Sequence, residues 1–145
     1  MSQFASCKII FLDAGFYVVS STLTIPAGTR LVGEAWSVIA GKGTAFQDQL
    51  NPQVVVRVGE KWSQCQQVTE ITDVVFTTVG PAAGAIIVEW NVRQPYGVQA
   101  GAGMWDTHIR SVTNAPEIVI KPILIQRSFA CRIAGSKFLH IRLPI

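Results

Sequence analysis

The chain has 145 residues, 49% of them apolar and 14% charged, with a net charge of +3. Its length suits one domain or part of one. The charged fraction is well under the typical value of about 25%, so part of the surface is expected to lie against other protein. No uncharged apolar stretch approaches the roughly 18 residues of a membrane span, and residues 1–8 lack the basic start and apolar run of a signal peptide.

The charge is unevenly placed. Residues 1–110 hold seven Lys/Arg and eight Asp/Glu, whereas residues 111–145 hold five basic side chains (Lys121, Arg127, Arg132, Lys137, Arg142) and one acid, Glu117. The basic residues of the tail are scattered singly among Ile, Leu and Phe rather than clustered, so neither a nucleic-acid nor a membrane partner is expected. Cys7, Cys65 and Cys131 are too few and too far apart for a disulfide framework or a zinc pattern, which leaves at most one bridge and a free thiol.

In chain order, residues 7–13 (C-K-I-I-F-L-D) read as a β run ended at Asp13-Ala14-Gly15, and residues 16–20 follow. Three short runs come next, 21–25, 29–32 and 36–39. Pro26-Ala27-Gly28 separates the first two and Gly33-Glu34-Ala35 the second two. Pro26 has no N–H to give a ladder, and Gly28 and Gly33 tolerate corner angles. Residues 40–53 form a long loop. Residues 54–58 (V-V-V-R-V) are the strongest strand, and residues 68–78 a β run bent at Asp73. After the turn at residues 80–84 comes a strand over 85–92, a Gly/Gln/Pro loop over 93–103 and a strand over 104–112. No window shows helical periodicity.

Ile9, Leu31, Val54 and Val74 open comparable apolar runs, 22, 23 and 20 residues apart. Such a repeat, with very short strands and no Asn-Gly or Asp-Gly hairpin turn, predicts an all-β solenoid, a right-handed parallel β-helix. The rival is an irregular β-sandwich. Loops 40–53 and 93–103 would leave the coil at its corners, where solenoids build binding surfaces.

Several blocks then stand in a telling order. Asp13-Ala14-Gly15-Phe16-Tyr17-Val18-Val19 precedes Ile25-Pro26-Ala27-Gly28 and Gly33-Glu34-Ala35-Trp36-Ser37-Val38-Ile39. Asn51-Pro52-Gln53 leads into Val55-Val56-Arg57-Val58-Gly59. Glu70-Ile71-Thr72-Asp73, Thr77-Thr78-Val79-Gly80-Pro81-Ala82-Ala83-Gly84-Ala85, Val88-Glu89-Trp90-Asn91-Val92 and Gly103-Met104-Trp105-Asp106-Thr107-His108-Ile109-Arg110 complete the set. Over roughly residues 7–110 the chain resembles the fungal exo-β-1,3-glucanases of glycoside hydrolase family fifty-five, in the pectate-lyase-like β-helix superfamily.

The resemblance implies two tandem β-helix domains with the active site in the groove between them, this chain supplying early coils of the second. It implies hydrolysis of β-1,3-glucan from the chain end with inversion, releasing glucose without a cofactor or metal, by a secreted enzyme. The family's acid carboxylate lies in later coils and other sugar-contacting residues in the first domain, and neither has a counterpart here. The chain is therefore expected to be a fragment, or a mis-spliced or frame-shifted product, inactive without that first domain and those coils. Residues 1–110 would be a truncated β-helix domain, and residues 111–145 not native β-helix sequence.

Among the residues themselves, no spacing of acids singles out the carboxyl pair that glycoside hydrolysis needs, so no catalytic residue is assigned. Asp13, Asp48 and Asp73 suit turns, and Glu34 suits fixing a corner. On a regular strand 104–110, Trp105, Thr107 and Ile109 would face the core, and Asp106, His108 and Arg110 would form a polar row in which Asp106 orients the His108 imidazole. Glu89 and Asn91 would form a similar row opposite Ile86, Val88 and Trp90. Either row suits a groove wall touching sugar hydroxyls, though a solvated outer face or a structural Asp-His bond is the plainer account. Trp36, Trp90 and Trp105 read as core and Trp62 as exposed. Residues 40–44 lack Walker spacing, and His108 and His140 form no metal pattern with the cysteines. A non-catalytic glycan-binding or structural β-helix, or another polysaccharide enzyme of the superfamily, remains open.

Overall fold

A computed structural model describes residues 9–61 and 66–111, apart from the side chain of Trp36. The three cysteines, Trp62, His140, the core assignment of Trp36 and the tail beyond Ser111 lie outside the described residues. The strands run in the order β1 (Ile9–Leu12), β2 (Gly15–Val19), β3 (Leu23–Ile25), β4 (Arg30–Gly41), β5 (Gln53–Val58), β6 (Thr69–Thr78), β7 (Ala85–Trp90), β8 (Ala102–Trp105) and β9 (His108–Ile109). The one helical element among the described residues is the 3-10 turn Thr44–Phe46.

Every pairing between these strands is parallel. A first stack is formed by β1, the first part of β4, the first part of β6, and β8. A second is formed by β2, the remainders of β4 and β6, and β9. The third is β3-β5-β7. Parallel neighbours cannot be joined by hairpins, so the chain must travel round through the other stacks before it returns. That excludes the antiparallel hairpins and Greek keys of an ordinary sandwich from the described residues.

The repeat differs from the one its apolar runs suggest. Ile9 stacks on Arg30, Arg30 on Glu70 and Glu70 on Gly103, so the true steps are 21, 40 and 33 residues (9 to 30, 30 to 70, 70 to 103). Val54 belongs to the third stack, and the residue above Leu31 is Ile71. The second round is long because residues 42–52 leave the strands. That excursion is not free of the core, since its 3-10 turn buries Phe46 completely, and the Gly84 amide donates to the Phe46 carbonyl at 3.0 Å.

The runs 29–32 and 36–39, separate in the sequence, are one strand. Against β6, Val32 pairs with Thr72 and Ser37 with Val74, so four residues of β4 face Asp73 alone. This is a β-bulge, which bends a strand without ending it. Asp73 takes φ 57° there. A Cβ on Gly33 would collide with the Asp73 carbonyl oxygen, so the bulge requires glycine at that close approach. Glu34 accepts the Ala14 amide at 3.0 Å, and the Ser37 hydroxyl lies 2.8 Å from Leu12 O and 2.9 Å from both Asp13 O and Glu34 O. Glu34 thus ties down the corner between β1 and β2.

The core lies between the stacks. Leu31 and Ile71 come from the first, Ile39 and Phe76 from the second, and Ile25, Val56, Val58 and Val88 from the third. Strands this rich in Val and Ile suit a parallel sheet buried against other elements.

Candidate functional site

The polar side chains of interest fall in three places rather than one. On the third stack, Thr24, Arg57 and Glu89 stand in register on successive strands. Glu89 and Asn91 do not form the solvated row expected of them: both are buried, Glu89 at 8% exposure. The reason is Arg57, whose Nε donates to Glu89 Oε1 at 2.9 Å. Asn91 Nδ2 donates to the same oxygen at 2.8 Å and to Gly59 O at 3.3 Å. Burial alone would raise the Glu89 pKa, but the Asn91 and Arg57 hydrogen bonds and the Arg57 and Lys61 charges outweigh it and hold the carboxyl below its ordinary value. A carboxyl fixed in its ionised form is poorly suited to act as the acid of a glycosidase. Beside it, Asn91 Oδ1 and Arg93 Nε are buried without a hydrogen-bond partner.

The second place is the last corner. Asp106, His108 and Arg110 are all exposed, but they do not continue one regular strand with Trp105. Asp106 has φ 48° and separates β8 from β9. Among the described residues no hydrogen bond or ion pair joins Asp106 to His108. The corner repeats the one before it: Asp106 stands over Asp73, both left-handed, and Thr107 follows where Val74 does, since Val75 pairs with His108. The Thr107 hydroxyl donates within 3.0 Å of Trp105 O and 3.4 Å of Ile71 O, as the Ser37 hydroxyl does toward backbone carbonyls two corners earlier.

The left-handed residue also changes which side chains face inward. Met104 pairs with the fully buried Ile71 and packs on the core, whereas Trp105 pairs with Thr72 on the other side. Trp105 is therefore half-buried on the outer side and not in the core. Ile109 points inward and His108 outward, as the alternation predicts. Trp90 does pack against the core and donates its Nε1–H to Val92 O at 2.8 Å.

The third place is the outer side of the first stack, where Arg30 Nε meets Glu70 Oε2 at 2.8 Å. Glu89 lies on a different sheet from His108, and Asp106 and Arg110 flank the His108 strand outside any sheet, so the four candidates are not assembled into one constellation. Sequence reasoning did not find Arg57, although it is the polar position of V-V-V-R-V and Glu89 is the polar position of the next comparable strand. Among the described residues no three His, Cys, Asp or Glu side chains gather as a metal site.

No family model matches the chain. It is 47% identical over 102 residues to a protein named non-secreted LysM effector LysM15 from Penicillium expansum, covering 70% of this chain and 7% of that one. It is 36% identical over 103 residues to a probable glucan endo-1,3-beta-glucosidase from Arthroderma benhamiae, covering 71% and 11%. It is 35% identical over 103 residues to a glucan 1,3-beta-glucosidase from Cochliobolus carbonum, covering 71% and 12%. The chain thus spans about a tenth of the length of these relatives. The resemblance to fungal glucan 1,3-beta-glucosidases is borne out.

Proposed function

We propose that this chain is a segment of a β-1,3-glucan hydrolase, built as successive coils of a right-handed parallel β-helix of the pectate-lyase-like kind in glycoside hydrolase family fifty-five. Its part is to supply one wall of the glucan-binding groove rather than the acid/base pair. The observation that carries this reading is the 35–36% identity over 103 residues to two proteins, one named a probable glucan endo-1,3-beta-glucosidase and the other a glucan 1,3-beta-glucosidase. The parallel stacks support the β-helix. The state of the carboxyls supports the division of labour: Glu89 is held ionised by Arg57 and Asn91, Glu70 is paired with Arg30, and Glu34 is spent on the Ala14 amide.

Inverting hydrolysis needs an acid and a base roughly 6.5–9.5 Å apart with a water between them. On this reading both come from elsewhere in the longer enzyme, from a first β-helix domain and later coils. The intact, secreted enzyme would remove glucose from the glucan chain end without a cofactor, with Asp106, His108 and Arg110 exposed at the groove wall. The 47% identity to a protein named an effector favours a second reading, in which the same coils serve as a non-catalytic glycan-binding or structural scaffold.

The test is to titrate the full chain with a β-1,3-linked glucose hexamer and with its β-1,4-linked counterpart, measuring binding and reducing-sugar release. Binding selective for the β-1,3 linkage without release is expected. Release by the chain alone would contradict the division of labour, and the absence of binding would contradict the groove wall.

A further inference from the structure

Trp105 is a large aromatic residue on the outer side of a sheet, and what lies around it is chemically specific. Gly103, two residues earlier on the same side of β8, has no side chain. A Cβ there would stand 3.1 Å from Trp105 Cη2 and 3.3 Å from Cζ2. The benzo ring of the indole therefore lies back across the strand at Gly103. It occupies space that any other residue would fill.

Gly103 pairs with Glu70, and Glu70 with Arg30. The Arg30–Glu70 ion pair is consequently beside the ring, one to two strand spacings of about 4.8 Å away. Its side chains are 50% and 36% exposed, so both present polar atoms to solvent. A guanidinium carries five N–H donors and a carboxylate several lone pairs, and their mutual bond uses only part of that capacity. Asp106, exposed, follows Trp105 directly.

We propose that Trp105 is a stacking platform for one glucosyl ring of a β-1,3-glucan, with the Arg30–Glu70 pair binding hydroxyls at that sugar's rim. This rests on the glucan reading above and adds a site to it. A β-glucosyl ring has equatorial hydroxyls around its edge and C–H bonds on its faces, so it presents an apolar plate with a polar rim. An aromatic ring matches the plate and a donor/acceptor pair matches the rim. Charge narrows the class further. The pair is neutral overall, and a uronate would bring its carboxylate against Glu70 and Asp106, so a neutral glycan is the occupant.

The experiment uses the full chain and a β-1,3-linked glucose hexamer, followed by calorimetry and by the indole N–H resonances. Trp105→Ala should weaken binding about tenfold, while Trp105→Phe, which keeps an aromatic face, should stay within about threefold of wild type. In the wild type the Trp105 indole resonance, assigned by its loss in Trp105→Phe, should shift on addition of sugar. The Trp90 resonance, whose N–H is held by Val92 O, should not. The resonance measurement stands even where Trp105→Ala fails to fold. Wild-type binding with an unmoved Trp105 resonance or an unaffected Trp105→Ala overturns the platform and leaves the glucan reading intact. A wild type that does not bind the hexamer overturns both.

Discussion

Glu89 supplies a test of how the third stack is held. Its Oε1 accepts from Arg57 at 2.9 Å and from Asn91 at 2.8 Å, so Glu89→Ala removes one acceptor from two donors. Hydrogen bonds to a charged group contribute about 1.5–3 kcal/mol each, and a buried donor left alone costs about 1–3 kcal/mol. The Arg57 side chain is 24% exposed, so water recovers part of its loss. Asn91 is buried and keeps only its longer bond to Gly59 O. The expected cost is about 2–3 kcal/mol. Glu89→Gln keeps an acceptor of the same shape without the charge and should cost about 1 kcal/mol. Urea unfolding followed by tryptophan fluorescence reads both as shifts in midpoint at unchanged slope. A Glu89→Ala midpoint within about 0.5 kcal/mol of wild type would refute the reasoning and leave the pair without energetic weight.

Other outcomes follow from the same structure. Because the folded Glu89 carboxyl is held below its ordinary value of 4.5, its stabilisation is fully present above that value and is lost as pH falls through the folded pKa. The gap between wild type and Glu89→Gln should therefore narrow in acid, and a gap that widens would reverse the sign. Phe76 is fully buried between the stacks, so Phe76→Ala should cost about 3–5 kcal/mol in the same unfolding assay. Asp73 has φ 57°, so Asp73→Gly should be neutral or mildly stabilising, whereas Asp73→Val should cost about 1–2 kcal/mol, read as thermal midpoints. Gly33→Ala should be severely destabilising, because its Cβ meets backbone rather than a side chain that can turn away.

The strands themselves were legible because short apolar runs bounded by Gly, Pro and Asp leave little else to form. V-V-V-R-V and A-I-I-V-E-W are strands at close to the expected bounds. The bend at Asp73 and the use of Glu34 at a corner were legible too, since both follow from turn chemistry. The stacking order was not. Residues 42–52 lengthen one round, and apolar spacing alone does not show that Val54 and Leu31 belong to different stacks. The orientation of Trp105 was hidden for a local reason. Alternation holds only while every residue stays extended, and a single left-handed Asp106 shifts the phase between β8 and β9. The burial of Glu89 depends on Arg57 from a strand one round earlier, a register that apolar spacing does not give.

The account's central claim is that these coils serve in a β-1,3-glucan hydrolase. The most direct measurement replaces the homologous segment of the Cochliobolus carbonum glucan 1,3-beta-glucosidase with the 103 matching residues of this chain and follows sugar release from β-1,3-glucan. The account predicts a folded chimera that still releases glucose and loses much of that activity when Trp105→Ala is added. A folded chimera that releases no sugar would contradict it.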